Sequence, residues 1–265
     1  MAAGSTTAEK SGAKKPKSER PSRTGTRNSR FRVPAPRVLL AVLGVALLTA
    51  GVIWALYGSS WFRVERVKTS GTGVLTPGEV EAIAAVPTGA PLVSVDTEAI
   101  EVRLRQALPR IESVDVVRSW PHGIGLKVTE RKPVLLLEKG TKFIEVDATG
   151  VRFATVDTAP KGIPRLVLDV ASSPSLRRFD ADRLLAEAVR VRGELPDEIA
   201  RRTRVVRVTS YDSVTLELTE GRSVFWGSAE HGPVKARVLT ALMKASPKAG
   251  HFDVSAPTAP ASSAS

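Results

Sequence analysis

Three histidines and no cysteine set the limits on what this 265-residue chain can do chemically. His122, His231 and His251 stand far apart in sequence among turn and loop residues, whereas an imidazole metal site needs several such ligands converging. Without cysteine there is no thiolate zinc site, thiol nucleophile, disulfide framework or lipidation through cysteine. Neither a Gly-x-Ser-x-Gly nucleophile elbow nor a His-Glu-x-x-His metalloprotease motif occurs. Gly71-Thr72-Gly73 lacks the Gly-Lys-Ser/Thr ending of a phosphate loop and reads as a turn. Carboxylate pairs of the kind used in glycan hydrolysis occur in any chain with 25% charged residues, and none is marked by its position. The expectation is a protein that is not an enzyme, with no catalytic residue, metal ligand, cofactor or small-molecule substrate.

Charge and hydropathy give a different chemistry, that of a membrane surface. The formal net charge is +12, yet residues 1–37 hold ten Lys and Arg against Glu9 and Glu19, which leaves only +4 for everything after them. This stretch is rich in Ser, Thr, Gly and Pro with one aromatic, Phe31, so it buries too little apolar surface to fold and is expected to be a disordered basic tail. Residues 38–57 then run twenty positions without a charge, enough for a helix to cross roughly 30 Å of hydrocarbon. The apolar run is longer than a signal-peptide core and no clear small-residue cleavage site follows, which favours an uncleaved anchor. Arg37 at its start and Trp54, Tyr57 and Trp61 at its far end are the candidate membrane-interface residues. Six basic residues lie within twenty positions before the span and three after, so the positive-inside rule puts the N-terminus in the cytoplasm and the remainder outside. Inner-leaflet anionic lipid explains the basic tail more simply than nucleic acid does, since aromatics are not interleaved with the charges.

Beyond the span, the patterning predicts two small domains. Phe62, Val64 and Val67 give a short strand. Thr76, Pro77 and Glu79 form a helix start with a capping box, followed by the stripe Val80, Ile83, Ala84 and Val86. Asp96 caps a second helix with Ile100, Leu104 and Leu108 recurring every fourth residue. Val-rich residues 111–119 and the alternating Ile124, Leu126 and Val128 are two strands joined across Trp120-Pro121-His122-Gly123. The order is β-α-α-β-β over residues 58–131. Residues 132–254 read as β-rich. Short strands at 134–137, 143–146 and 151–153 precede a strand with Pro164, expected at an edge because proline cannot donate to a ladder. A helix over 180–192, three strands within 205–226 and a helix over 234–244 follow, and Phe252-Asp253-Val254 is a last extended piece. Residues 255–265 are Ser, Ala and Pro with no folding signal and are expected to be a disordered tail.

This α+β plan, one transmembrane helix followed by a β-α-α-β-β domain and a β-rich domain, resembles the FtsQ/DivIB family of bacterial cell-division proteins, whose first outer domain is a POTRA module. The resemblance is carried by Arg63-Val64-Glu65-Arg66-Val67 with Ser70-Gly71, Leu75-Thr76 with Glu79-Val80, Pro91-Leu92 with Val95-Asp96, Leu108-Pro109, Trp120-Pro121 and Thr129-Glu130-Arg131-Lys132-Pro133. In the second domain it is carried by residues 147–153, Pro164-Arg165-Leu166, Gly221-Arg222-Ser223-Val224, Trp226-Gly227, Lys235 and Asp253-Val254-Ser255. It implies a single-pass type II protein of the cell membrane, enriched at the septum, that connects divisome proteins and helps control septal peptidoglycan synthesis. It also implies that an edge near the C-terminus pairs with a strand of a small membrane partner of the FtsB/DivIC type, itself coiled with FtsL. By position that edge is His251, Phe252, Asp253, Val254 and Ser255, followed at once by Pro257 and Pro260, so it should be short. Phe252 is open between an interface side chain and a core plug. The alternative function, a POTRA-bearing translocation or assembly factor of the envelope, would be expected to carry several such modules or a barrel, and no repeat is seen.

Overall fold

The computed structural model describes residues 36–169 and 180–264; all but the last two residues of the expected N-terminal tail lie outside this range. Helix α1 covers Pro36–Gly58 without a single buried residue, and is the one helix among the described residues long and apolar enough to cross a membrane.

The next elements follow from local capping. Helix α2, Pro77–Ala84, begins with the expected box: Thr76 Oγ1 accepts from the Glu79 N–H at 3.3 Å and Glu79 Oε2 accepts from the Thr76 N–H at 2.8 Å. Asp96 Oδ1 accepts from the Ala99 N–H and opens α3, Thr97–Ala107. These helices cover one face of a three-stranded sheet of β1 (Arg66–Ser70), β2 (Ile111–Ser119) and β3 (Gly123–Glu130), ordered β1-β3-β2 with β1 and β3 parallel. Val80, Ala84, Ile100 and Leu104 pack there on Val114, Val116, Ile124 and Leu126. The first strand starts later than its apolar residues suggested, because Ser60–Phe62 closes into a 3-10 turn and Phe62 packs edge-on against Trp120 at 5.6 Å between ring centroids. Gly71 is required where β1 turns toward α2: its φ is +85°, and a Cβ would fall 2.0 Å from the Val128 carbonyl oxygen.

A second sheet has its own core. Its strands are β4 (Leu135–Lys139), β5 (Lys142–Val146), β6 (Arg152–Val156), β7 (Arg165–Leu168), β8 (Thr203–Ser210), β9 (Ser213–Leu218), β10 (Ser223–Gly227), β11 (His251–Asp253) and β12 (Ala261–Ser263). The order is β12-β11-β10-β9-β8-β7-β4-β5-β6. Helices α4 (Ala181–Glu194) and α6 (Gly232–Ala245) supply Leu184, Leu185, Ala188 and Leu239 to a core shared with Val206, Val208, Leu216 and Trp226. A short helix, α5 (Asp197–Arg202), was not foreseen; six residues carry too little periodicity to announce one.

Two expectations are corrected. Strand β7 is central, parallel to both β8 and β4; Pro164 sits just before it, where only its carbonyl is needed, and accepts from the Leu136 N–H at 3.0 Å. The C-terminal stretch is not without structure: β12 pairs antiparallel with β11.

Candidate partner-binding edge

The segment 251–255 occupies the β10–β11–β12 end of the large sheet. Strand β11 runs parallel to β10, with Ser223, Val224 and Phe225 opposite His251, Phe252 and Asp253. Alternation then decides which side chains face outward. Phe252 is 2% exposed and Val254 fully buried, both in the core with Trp226, the position of a core plug. His251 is exposed, and its Nδ1 lies 2.7 Å from Ser223 Oγ. Asp253 Oδ1 accepts from the Ser255 N–H and hydroxyl at 2.9 and 2.7 Å, which shapes the exit from the strand. The expected free edge is occupied. On its far side β11 pairs with β12, His251, Phe252 and Asp253 standing opposite Ser263, Ser262 and Ala261.

Lys235 on α6 supports this end of the sheet. It is 2% exposed, and its ammonium donates to the carbonyls of Trp226 and Ser228 at 3.0 and 2.9 Å, fixing the chain where β10 ends. Burial pushes its pKa down, against the opposing pull of Glu230, Glu194 and Asp253. Gly232 begins α6 hard against Glu194, where a Cβ would lie 1.5 Å from the carboxylate.

The opposite end of the same sheet is tied to the small sheet. The open end of the β2–β3 hairpin sets Arg110 beside Arg131, whose N–H donates to the Arg110 carbonyl at 2.8 Å. Both guanidiniums reach one face of the β5 exit: Arg110 pairs with Glu145 at 2.6 Å and Arg131 with Asp147 at 2.5 Å. Glu145 and Asp147 are 3% and 5% exposed, so these are largely desolvated pairs. Arg110 also lies over the Phe153 ring at 5.2 Å. Burial pushes the Asp147 carboxyl up, but the Thr149 hydroxyl, the Val151 N–H, Arg131 and the Thr149 N–H together outweigh it and hold it below the usual range. Glu130 behaves alike: burial raises it, while the N–H groups of Gly73, Val74 and Leu75 and the charge of Arg110 bring it down overall. Sequence reasoning missed this junction, since its partners are 35 and 16 residues apart; the visible signal was the pair of arginines flanking a predicted hairpin.

Residues 62–131 match the family model of the POTRA domain, FtsQ-type. Over their whole lengths, this chain and the cell division protein FtsQ of Streptomyces venezuelae are 79% identical. The chain belongs to the FtsQ family. The cell division protein FtsQ of Streptomyces coelicolor is 60% identical over 99% of this chain and all of its own length, and that of Mycobacteroides abscessus 31% over 87% and 71%. The FtsQ-type segment ends at Arg131, the residue that pairs with Asp147 of the second sheet. Of the interface residues expected for this FtsQ-family chain, Arg37, Trp54 and Tyr57 lie on α1 and Trp61 on the 3-10 turn that follows; Trp54 and Trp61 are 71% and 70% exposed. Among the described residues, no group of three or more His, Asp or Glu could hold a metal ion.

Proposed function

We propose that this cell-division protein is a non-catalytic, single-pass membrane scaffold whose N-terminus is cytoplasmic and whose residues 58–265 lie outside the membrane at the division septum. Residues 58–131 form its POTRA domain and 132–254 its β domain, with Arg37, Trp54, Tyr57 and Trp61 at the bilayer interfaces. It acts by binding divisome membrane proteins of the FtsB/DivIC and FtsL type, and so helps control septal peptidoglycan synthesis. It takes no nucleic acid or small-molecule substrate.

The observation that carries this reading is the end of the large sheet. Segment 251–255 is held on one side by β10 and on the other by a strand of only three small residues, so a strand from another protein can join the sheet at this end by taking the place of that short cover. Phe252 and Val254 anchor the strand from within, while His251, Asp253 and Ser255 are the positions a partner reaches. A photo-crosslinker placed at His251, Asp253 or Ser255 in living cells is expected to capture a small coiled-coil membrane protein. Capture of that protein only from positions in 62–131 would contradict the assignment of the edge.

A further inference from the structure

Strand β12 is made differently from every other strand of its sheet. Its residues, Ala261, Ser262 and Ser263, are all exposed, so it covers β11 without burying an apolar side chain. What holds it is main-chain pairing, the Gly250 N–H donating to the Ser263 carbonyl at 3.0 Å, and one hydroxyl contact of 3.2 Å between Ser262 and Ser246. The chain reaches it through a turn closed by the Ala259 N–H on the Ala256 carbonyl at 3.0 Å, with Pro257 at the second position. Pro260, which has no N–H, precedes the first paired residue.

The outward face around β12 has space that its own side chains leave unfilled. Thr215, Phe225, Asp253 and Ala261 form one row across four strands, and Glu217, Ser223, His251 and Ser263 form the next. Phe225 is 37% exposed in the first row, between Thr215 and Asp253, with only the Ala261 methyl beyond Asp253. A groove of about 260 Å³ runs here, lined by Phe225, His251, Asp253, Ala261 and Ser263 among others. A strand with β-branched or aromatic residues in place of Ala261 and Ser263 would make the same ladder and fill the groove beside Asp253 and His251, an aromatic ring reaching on toward Phe225, and so add cross-strand contacts that Ala and Ser cannot make.

We propose that Ala261–Ser263 is a placeholder strand, which covers the docking edge β11 until a partner strand with larger side chains at those two positions displaces it. The inference rests on the reading of β11 as the partner edge. It gives the C-terminal segment a role in timing: the sheet offers no bare edge to unrelated strands before the partner arrives. Binding then carries the cost of opening, so the apparent affinity falls by the fraction of molecules with β12 detached.

The test compares three membrane-anchored forms in living cells, each with a photo-crosslinker at His251: the natural chain, a chain ended after Pro260, and the double substitution Ala261→Val with Ser263→Ile. The adduct to the small coiled-coil membrane protein, identified by mass spectrometry, is expected to rise about tenfold on truncation if β12 covers the edge in about nine molecules of ten. It should fall below the natural level in the double variant, whose placeholder packs better. Equal yields in all three forms would overturn the placeholder and leave the edge reading standing. Absence of the adduct from all three would remove the edge reading itself, and the placeholder with it. Loss of capture on truncation, or efficient capture from a crosslinker at Ser262 with β12 intact, would make β12 the platform for the partner and overturn the proposal.

Discussion

The two ends of the nine-stranded sheet are closed by opposite means. At the β4–β5–β6 end, Glu145, Asp147 and Phe153 are covered by Arg110 and Arg131 in short, largely desolvated contacts. At the other end, β11 is covered by three exposed small residues paired through the backbone. Charge pairs in a dry junction have few alternative arrangements, because separating them leaves a buried carboxylate unmatched. Backbone pairing is generic, and any extended segment can supply it. On the proposed reading, one end holds the FtsQ-type segment against the large sheet and the other exchanges partners.

The sharpest way to break this contrast is at Phe252. Replacing it by Ala should lower the stability of the large sheet by about 3–5 kcal/mol through lost burial and the cavity left behind, seen as a fall in the thermal unfolding midpoint of the full chain in detergent. Unchanged stability with lost partner capture would instead make Phe252 an interface side chain. At the junction, Arg131→Ala should cost about 2 kcal/mol, between the worth of exposed pairs and that of fully buried ones. Asp147→Ala in the same chain should recover part of that loss, whereas strictly additive losses in the double-mutant cycle would mean that the two groups do not interact.

Acid should weaken the junction and not the placeholder. The native pKa values of Asp147 and Glu130 are lowered, so their contribution is fully present above the ordinary carboxyl range near pH 4 and is lost as pH falls through the native values. Hydrogen exchange measured down the acid limb should therefore show the contacts around residues 145–147 loosening before those around 261–263. The smallest effect belongs to truncation after Pro260, which uncovers no apolar side chain and should lower stability by about 1.4 kcal/mol, the worth of a strand attached in about nine molecules of ten.

What the sequence disclosed follows the range of the interactions involved. Thr76 with Glu79 and Asp96 announced their helices correctly because a cap is satisfied within three residues. The central place of β7 was hidden, since a proline just before a strand looks the same locally whether the strand is central or at an edge. Phe252 could not be assigned to a face because a three-residue strand has too little alternation to read. Strand β12 was invisible for the reason that makes it replaceable: Ala and Ser carry little strand preference, and its pairing depends on the backbone alone.

The central claim, that β11 is where a partner strand joins, is tested most directly by hydrogen exchange on the full chain in lipid nanodiscs, with and without the small coiled-coil membrane protein captured from cells. The prediction is increased protection at residues 250–254, decreased protection at 261–264 and no change at 152–156. Protection confined to 152–156 or to 62–131, with 250–254 unaltered, would contradict it.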